Sequence, residues 1–401
     1  MALKRRSVRH LRWLAARGML TLLPALRRRV ILYEKAIPAE DAGGVRALHE
    51  PVPLRPCPAE KAFLNRMPDP PGSGAAIERC RLPAEPARRV ALIDLPDVTV
   101  LGNTGALVDE AGERLLLQRR RLPYATYHDF RPQPLRSVTR RGKPSLSFVG
   151  PWQGHRHLFH FLFDRVPKLY YALERFDLKD GDLEILVNEG LPPFQADFFR
   201  FLSARYPRLA ITTVPARERW RFDRLLTIDY WQNVTTTVAD EACLDWVRGL
   251  FLEGYGLRPG PARRRLWISR QDTRKRRLTN EAALRAGLAA RGFEPLLLGT
   301  MAFRDQIACF LDAELVAGTH GAGFAHLLFA PAGSGVVELF PANRLRNTYA
   351  LLSYALGHRH CAVAGTPGGP RERYSVDAGT VFAAVENMAR PPARASGSFA
   401  A

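Results

Sequence analysis

Three glycines and a histidine separate a predicted strand from a predicted helix in LVAGTHGAGFAHLLFAPAGSGVVELFP, residues 315–341. Gly318, Gly321 and Gly323 would let the backbone approach a ligand closely, because glycine has no side chain. The helix would offer unpaired N–H groups and its positive dipole end to an anion, and His320 could donate a hydrogen bond to a phosphate or sugar oxygen. A tight turn with a packed histidine explains the pattern equally well. Neither GxGxxG nor GxxxxGK[ST] is present, which disfavours a dinucleotide fingerprint and a P-loop.

A cationic stretch, ISRQDTRKRRLTNE, follows the end of another predicted strand. One guanidinium group can donate two parallel hydrogen bonds to a phosphate group. The carboxyl ends of the strands in an open α/β sheet face the crevice in which its ligand binds. Ser269 and Arg270 stand at that strand end, so Arg270 is the favoured anion ligand and Arg274 a helper. Lys275 and Arg276 are interpreted as part of a solvated charge run.

Histidines and an aspartate recur in GHRHLFHFLFDRVPKL, residues 154–169. His157, His160 and Asp164 are spaced i, i+3 and i+7, which places them on one face of a helix. An aspartate four residues after a histidine can orient the imidazole and raise its basicity, so an acid/base or substrate site is one interpretation. Structural histidines are a second. A metal-dependent hydrolase that uses His155, His157 and His160 is a third, although no further ligands stand at an obvious spacing.

The composition indicates a basic globular protein of 401 residues, a length that suits two domains. The net charge of +20 leaves open a basic non-enzymatic protein that binds nucleic acid or membrane. Aromatic residues are not interleaved with the cations as a stacking platform requires, so nucleic acid is not the expected partner. An anionic substrate such as a nucleotide diphosphate, or an anionic membrane surface, fits better.

Cysteine usage and the N-terminus indicate where the protein works. The five cysteines are scattered, odd in number and without a CxxC pair, which indicates a reducing compartment and neither a disulfide framework nor structural zinc. No run of about 18 apolar residues is present to span a membrane. Nine Lys and Arg residues precede the first acid, Glu34. We expect a cytoplasmic protein whose basic arm touches the inner face of the plasma membrane; a secretory signal or a solvated arm are the alternatives.

Strands alternate with helices from about residue 155 onward, which predicts parallel sheets with covered faces. A cluster of Gly and Pro at 256–265 predicts a linker. The sequence therefore predicts an α/β protein in four parts: a basic arm with a Pro-rich irregular extension (1–88), a first α/β domain (89–255), a second α/β domain (256–390) and a flexible tail (391–401).

The ordered set of motifs resembles glycosyltransferase family 61, over about residues 95–365. Members end a strand with Ser-Arg, begin a helix at Asn-Glu, and later show His-Gly-Ala-Gly and Val-Glu-Leu. Upstream they carry Asn-x-x-His-Trp and then Pro-Arg-Leu. The corresponding residues are Ser269-Arg270, Asn280-Glu281, His320-Gly321-Ala322-Gly323, Val337-Glu338-Leu339, His157-Leu158-Phe159-His160-Phe161 and Pro167-Lys168-Leu169.

The resemblance implies an inverting transferase with two Rossmann-like doubly wound domains that face a cleft, the GT-B type. It implies a nucleotide-sugar donor, a glycan or lipid-linked acceptor, and neither a cofactor nor an obligatory metal. His157 and Phe161 replace the family's Asn and Trp, which indicates a different acceptor pocket.

In this scheme His160 is the catalytic base, oriented by Asp164, with Asp164 alone as the competing base. His157 contacts the acceptor. The donor-binding residues are Ser269, Arg270, Arg274, His320, Gly321, Ala322, Gly323 and Glu338, the last of which would hold ribose or sugar hydroxyls.

Overall fold

The computed structural model describes residues 37–38, 44–49, 90–102, 105–109, 115–117, 136–140, 142–150, 157–229 and 241–389. The described residues up to 229 form one compact unit, and residues 241–389 form a second. Both contain a sheet and helices, which confirms the α/β class. The GT-B arrangement and the domain boundaries stay predictions.

The expectations for the basic arm, most of the Pro-rich extension, the C-terminal tail and His155 lie outside the described residues. In the part of the chain that the structure describes, no helix is long and apolar enough to cross a membrane.

The described residues of the first unit form one sheet and two helical segments. Its strands are β1 (Ile37–Pro38), β2 (Gly44–His49), β3 (Val90–Leu101), β4 (Leu107–Val108), β5 (Leu115–Leu117), β6 (Arg136–Arg140), β7 (Ser145–Ser147), β8 (Glu184–Asn188), β9 (Ala210–Val214) and β10 (Glu218–Asp229). Its helices are α1 (158–175) and α2 (Pro193–Arg205).

This sheet is mixed, whereas the sequence predicted a parallel one. Strands β10, β7, β8 and β9 run parallel, but β10 pairs antiparallel with β3 over ten residue pairs. The apolar runs and Gly-Asn and Asp/Gly turns of TVLGNTGALVDEAGERLLL predict hairpins, and β3, β4 and β5 do pair antiparallel in succession. Two strands, β1 and β2, lie in the segment that was expected to be irregular, and β2 pairs with β3.

Helix α1 changes its winding twice. Its π-helical segments His160–Arg165 and Tyr171–Arg175 flank α-helical Val166–Tyr170. The N–H of Val166 donates to the carbonyl of Phe161, five residues back. The widened turn precedes Pro167, which has no N–H and whose ring crowds the carbonyl four residues earlier. A proline within a helical pattern predicts a kink. At this position the helix instead widens into a π-helical segment before the proline.

The second unit is a sheet covered on both faces. Its strands are β11 (Arg264–Ile268), β12 (Phe293–Leu296), β13 (Ala313–Thr319), β14 (Gly335–Pro341), β15 (Arg359–Pro367) and β16 (Tyr374–Ser375). Its α-helices are α3 (Glu241–Tyr255), α4 (Glu281–Ala289), α5 (Phe303–Leu311), α6 (Thr348–Ala355) and α7 (Ala378–Ala389). Its 3₁₀ segments are Leu298–Thr300, Ala322–Phe329, Ala342–Arg344 and Pro370–Glu372.

The strand order is β12-β11-β13-β14-β15-β16, and all pairs are parallel except β15 with β16. Counted within this unit, the parallel strands run 2-1-3-4-5, a doubly wound order whose topological switch point lies between β11 and β13. One face carries an apolar core that includes Trp267, Val337 and Leu339. Glu338 alternates with the last two and so belongs to the other face.

Three local expectations differ from the structure. In TNEAALRAGLAARGF the sequence favours Thr279 as the N-cap of helix α4. Asn280 has that position instead, because the Thr279 hydroxyl donates to the carbonyl of Tyr374 at 3.2 Å. The segment after β13 is a 3₁₀ helix, not an α-helix. Helix α3 was expected in the first domain but groups with the second unit, where Phe251 packs edge-on against Phe303 and Phe329.

Candidate active site at the carboxyl edge of the second sheet

The switch point brings the candidate donor-binding residues to one edge. Ile268 of β11 lies opposite Gly318 of β13, and Gly318 lies opposite Glu338 of β14. Ser269 and Arg270 therefore follow β11 at the level where His320 follows β13. Ligands of doubly wound sheets bind in the crevice at this position.

The three glycines each have a separate steric reason. A Cβ atom on Gly318 would lie 2.7 Å from the backbone oxygen of Ile268, and one on Gly323 would lie 2.9 Å from Cγ2 of the same residue. These two glycines let β13 and the following turn pack against β11. A Cβ atom on Gly321 would instead overlap the guanidinium of Arg270.

His320 and Glu338 form a buried pair. The Nδ1 atom of His320 lies 2.5 Å from Oε1 of Glu338, whose side chain is 0% exposed, while that of His320 is 12% exposed. The imidazole stacks on Phe340, with 4.8 Å between ring centroids. Burial raises the pKa of Glu338, and the charge of Arg276 opposes that rise. The Glu338 side chain thus fixes the position of the Nδ1 atom of His320.

Four guanidiniums act on this histidine. Burial lowers the pKa of His320, and the positive charges of Arg276, Arg270, Arg346 and Arg344 lower it further. Burial also lowers the pKa of Arg270 and of Arg276. Such a concentration of partly desolvated positive charge favours an anionic ligand.

Two of these arginines share one carboxylate. Glu372 pairs with Arg344, and its Oε2 lies 3.7 Å from Nε of Arg276. Arg276 has a left-handed backbone with φ of 58°, and its N–H donates to the carbonyl of Arg371 at 3.0 Å. A non-glycine residue in this region costs about 1 kcal/mol or more and persists where its surroundings hold it.

The structure separates the residues of the charge run. Arg274 and Lys275 are exposed, whereas Arg276 turns inward. Sequence reasoning missed Arg276 because one arginine within a run of four cations carries no periodic signal. Arg344 and Arg346 were also missed, since they follow β14 in a segment without a motif.

Ser269 and Asn280-Glu281 have structural contacts. The Oγ atom of Ser269 accepts the N–H of Gln271 at 3.3 Å. Buried Glu281 accepts hydrogen bonds from Nε1 of Trp267 at 3.0 Å and from the Gln271 amide at 2.7 Å. These bonds fix the loop that carries Arg270. The Asn280 amide donates to the carbonyl of Val376 at 2.7 Å.

A second cluster lies on α1 in the first unit. The Nδ1 atom of His160 lies 2.5 Å from Oδ2 of Asp164, and the rings of His157 and His160 are 4.7 Å apart. The other oxygen of Asp164, Oδ1, is buried and has no hydrogen-bond partner among the described residues. In the wide π turn, residues four and five apart share a face, so His160 and Asp164 point the same way.

The neighbour of Asp164, Arg165, anchors this helix to the sheet. Its guanidinium donates to the carbonyl of Phe148 and lies over the Phe148 ring at 4.4 Å. Burial lowers the pKa of Arg165 to about 9. Throughout the described ranges, no group of three or more His, Cys, Asp or Glu side chains is arranged to hold a metal ion.

The fold and site define an α/β protein with an arginine-lined crevice at a topological switch point. The Glycosyltransferase 61 family model matches residues 158–337, so this segment belongs to glycosyltransferase family 61 and the predicted resemblance is confirmed. The matched segment includes α1, Arg270, Arg276, His320 and ends one residue before Glu338.

Two solved structures are similar to the chain at low level. One is the bacterial iron-containing dodecameric glycosyltransferase TibC from enterotoxigenic E. coli H10407, with 14% identity over 64% of this chain and 77% of that chain, at a TM-score of 0.27. The other is the dodecameric iron-containing heptosyltransferase TibC in complex with ADP-D-beta-D-heptose, with 14% identity over 65% and 80%, at a TM-score of 0.26. Similarity at this level carries no argument about metal, donor or assembly. No curated protein matches the sequence.

Proposed function

We propose that the protein is an inverting glycosyltransferase that moves a sugar from a nucleotide-diphosphate donor to a hydroxyl of a glycan or lipid-linked acceptor. The pathway would be synthesis of a bacterial polysaccharide or glycoconjugate. One observation carries the proposal: the positive charges of four arginines act on His320 at the switch point of a sheet that lies in part within the segment matched by the glycosyltransferase family model.

The donor diphosphate would bind at the carboxyl edge of the second sheet. Arg270 and Arg276 are its main ligands, and the backbone N–H groups of 321–323 assist. When the sugar leaves, negative charge grows on the diphosphate, and fixed guanidiniums stabilise that charge without moving. Arg274 is a more distant helper, since it is exposed. Glu338 has no exposed surface, so it acts on the ligand through His320.

The acceptor would bind at α1. His160 takes the proton of the acceptor hydroxyl as its oxygen bonds to the anomeric carbon and the bond from that carbon to the diphosphate oxygen breaks. One such displacement inverts the anomeric centre. Asp164 holds Nδ1 of His160 at 2.5 Å, which leaves Nε2 to accept the proton. His157 lies beside it and contacts the acceptor.

A thermal-shift panel tests the donor assignment. UDP-, GDP- and ADP-sugars each carry two phosphates, and a CMP-sugar carries one. One of the diphosphate sugars should raise the melting temperature in a concentration-dependent way, because a ligand that binds only the folded state stabilises it. The CMP-sugar should give the smaller shift. No shift with any diphosphate sugar would remove the basis of the proposed function.

We also propose that residues 1–30 attach the protein to the inner face of the plasma membrane. These residues lie outside the described part, and the argument is the run of nine cations before Glu34. Each basic residue near an anionic surface contributes about 1 kcal/mol. Deletion of 1–30 should release the protein from anionic vesicles and leave donor binding intact. An intact chain that never co-sediments with vesicles would disprove the attachment.

A further inference from the structure

A chain of buried polar groups runs from helix α6 to the candidate site. The hydroxyl of Ser353 lies 2.9 Å from Nδ1 of His360 on β15. The Nε2 atom of His360 lies 3.2 Å from Oε2 of Glu338 on the neighbouring strand β14. The other carboxyl oxygen of Glu338 lies 2.5 Å from Nδ1 of His320. Four side chains from four elements thus connect in sequence.

The contact between His360 and Glu338 is the central one of this chain of side chains. Both Nε2 of His360 and Oε2 of Glu338 are buried, and neither meets normal hydrogen-bond geometry with any described residue. They nevertheless lie 3.2 Å apart. A buried polar atom without a hydrogen bond is unfavourable, so a small ring rotation that aligns these two atoms is favoured. Glu338 and Ser353 are fully buried, and the His360 side chain is 6% exposed, which keeps water from competing.

Every hydrogen bond in this chain of side chains can be donated toward Glu338. Burial lowers the pKa of His360 to about 3, so its ring is neutral and carries one N–H. If Nδ1 accepts the Ser353 hydroxyl, that N–H is on Nε2 and donates to Glu338. Glu338 then accepts a second N–H, from Nδ1 of His320. Arginine has donors only, so the four guanidiniums around His320 do not compete for these N–H groups.

We propose that Ser353, His360 and Glu338 hold His320 in the tautomer with its proton on Nδ1, so that Nε2 accepts a hydrogen bond from a substrate hydroxyl. His360 is a positioning residue, because it acts through Glu338. The inference rests on the proposed function and replaces the expectation that His320 donates to a phosphate. The arginines and His320 then have different roles: the arginines donate hydrogen bonds to phosphate oxygens, and His320 accepts a hydrogen bond from a hydroxyl.

The tautomer is measured directly by ¹⁵N NMR of the full chain labelled at histidine. His320, assigned by the loss of its signals in His320→Gln, should show a protonated Nδ1 and an unprotonated Nε2 in the free protein. This measurement needs no substrate, so its result does not depend on the proposed function. A proton on Nε2 of His320 in the wild-type protein would overturn the inference.

Two substitutions at one position supply the matched test. His360→Leu removes the N–H that reaches Glu338, and the His320 signals should move toward a mixture of tautomers. His360→Gln keeps an N–H donor at similar reach, and the signals should return toward those of the wild type. Ser353→Ala, which adds no bulk, should produce a smaller shift of the same kind. An unchanged His320 tautomer in folded His360→Leu and Ser353→Ala would contradict the positioning role.

Binding and kinetics identify the source of the hydroxyl. The probes are UDP and GDP, their glucose conjugates, and the acceptor used for turnover. If the hydroxyl is on the ribose, His360→Leu weakens binding of the nucleotide and the conjugate alike, by about two- to tenfold, the effect of one neutral hydrogen bond. If it is on the donor sugar, only the conjugate weakens; if it is on the acceptor, binding is kept and turnover falls. If folded His360→Leu keeps wild-type nucleotide binding, conjugate binding and turnover, the proposed hydrogen bond from a substrate hydroxyl to His320 is refuted.

Discussion

The guanidinium of Arg270 occupies the space beside Gly321 that any larger residue would need. A Cβ atom at position 321 would overlap Nη1 of Arg270, whose Nε and Nη2 atoms donate to the carbonyl of Lys275 at 3.3 Å. Gly321 has an extended backbone with φ of 174°, which any residue can adopt. The glycine is therefore required by the arginine and not by backbone strain.

Gly321→Ala should displace Arg270 and weaken nucleotide-diphosphate binding while the fold persists. The loss should not exceed about 1.5–3 kcal/mol, the range for one charged hydrogen bond. Calorimetry with the nucleotide that binds best in the thermal-shift panel measures it. Gly181→Ala is the control, since the nearest atom to its added Cβ lies 3.8 Å away. Equal affinities for both variants would show that Arg270 does not contact the donor.

Arg270→Ala and Arg276→Ala should each weaken donor binding by about 1.5–3 kcal/mol, because both guanidiniums are held at the crevice. Arg274→Ala removes the same charge from an exposed position, so its effect should be a few tenths of a kcal/mol and should shrink with added salt. Titration calorimetry at two ionic strengths distinguishes the effect of Arg274→Ala from the effects of Arg270→Ala and Arg276→Ala. If Arg274→Ala costs as much as Arg276→Ala, inward placement of Arg276 has no bearing on binding.

His160→Ala should reduce turnover by about 10²–10⁴-fold with donor affinity retained, as expected for loss of a general base. Asp164→Asn should reduce it less if Asp164 only orients the imidazole, and at least as much if Asp164 is itself the base. Initial rates with saturating donor provide the comparison. Near-normal turnover in both variants would exclude α1 from the chemistry.

The second unit should lose stability as the pH falls from about 6.5 toward 4. Burial lowers the pKa of His326 to about 4 and that of His360 to about 3, whereas an unfolded histidine titrates near 6.5. The unfolded chain therefore binds more protons in this window, and folding stability rises with pH. Glu338, whose pKa burial raises, acts in the opposite direction.

Thermal unfolding at pH 7.5, 6.5 and 5.5 checks this dependence. His326→Gln removes one titrating group, so stability should fall less steeply with acidification than in the wild type, by up to about 1.4 kcal/mol per pH unit. The comparison concerns the slope, because the substitution also removes the hydrogen bond from Nδ1 to the carbonyl of Gly323 at 2.9 Å. Parallel pH profiles would contradict the buried neutral state of His326.

Sequence reasoning located the second sheet well, because parallel strands buried on both faces produce continuous apolar runs. The run that ends at Gly318 and the run through Glu338 became neighbouring strands, β13 and β14. Glu338 was expected to hold ribose or sugar hydroxyls, whereas its side chain is fully buried and its Oε1 lies 2.5 Å from Nδ1 of His320. Strand β15 was not anticipated, since HCAVAG consists mostly of small residues and has no clear two-residue period.

The rest of the site depended on contacts between distant segments. Arg344 joins Glu372, and Arg276 is held by Arg371 nearly a hundred residues later, so no local pattern predicts their convergence. The first sheet was misjudged for a similar reason. Its parallel strands were read from alternation with helices, but β10 pairs antiparallel with β3, which lies far earlier in the chain.

The last strand has a consequence for biosynthesis. The buried hydroxyl of Tyr374 on β16 lies 3.0 Å from the carbonyl of Leu339, to which it donates, and 3.1 Å from Oγ1 of Thr319. The carbonyl of Tyr374 accepts the N–H of Thr279 at 2.8 Å. A nascent chain that ends before Tyr374 therefore lacks the residue that connects the ends of β13 and β14 to the start of α4. The carboxyl edge of this sheet can be completed only after Tyr374 has emerged from the ribosome, so the candidate site forms later than the strands β11, β13 and β14 that carry it.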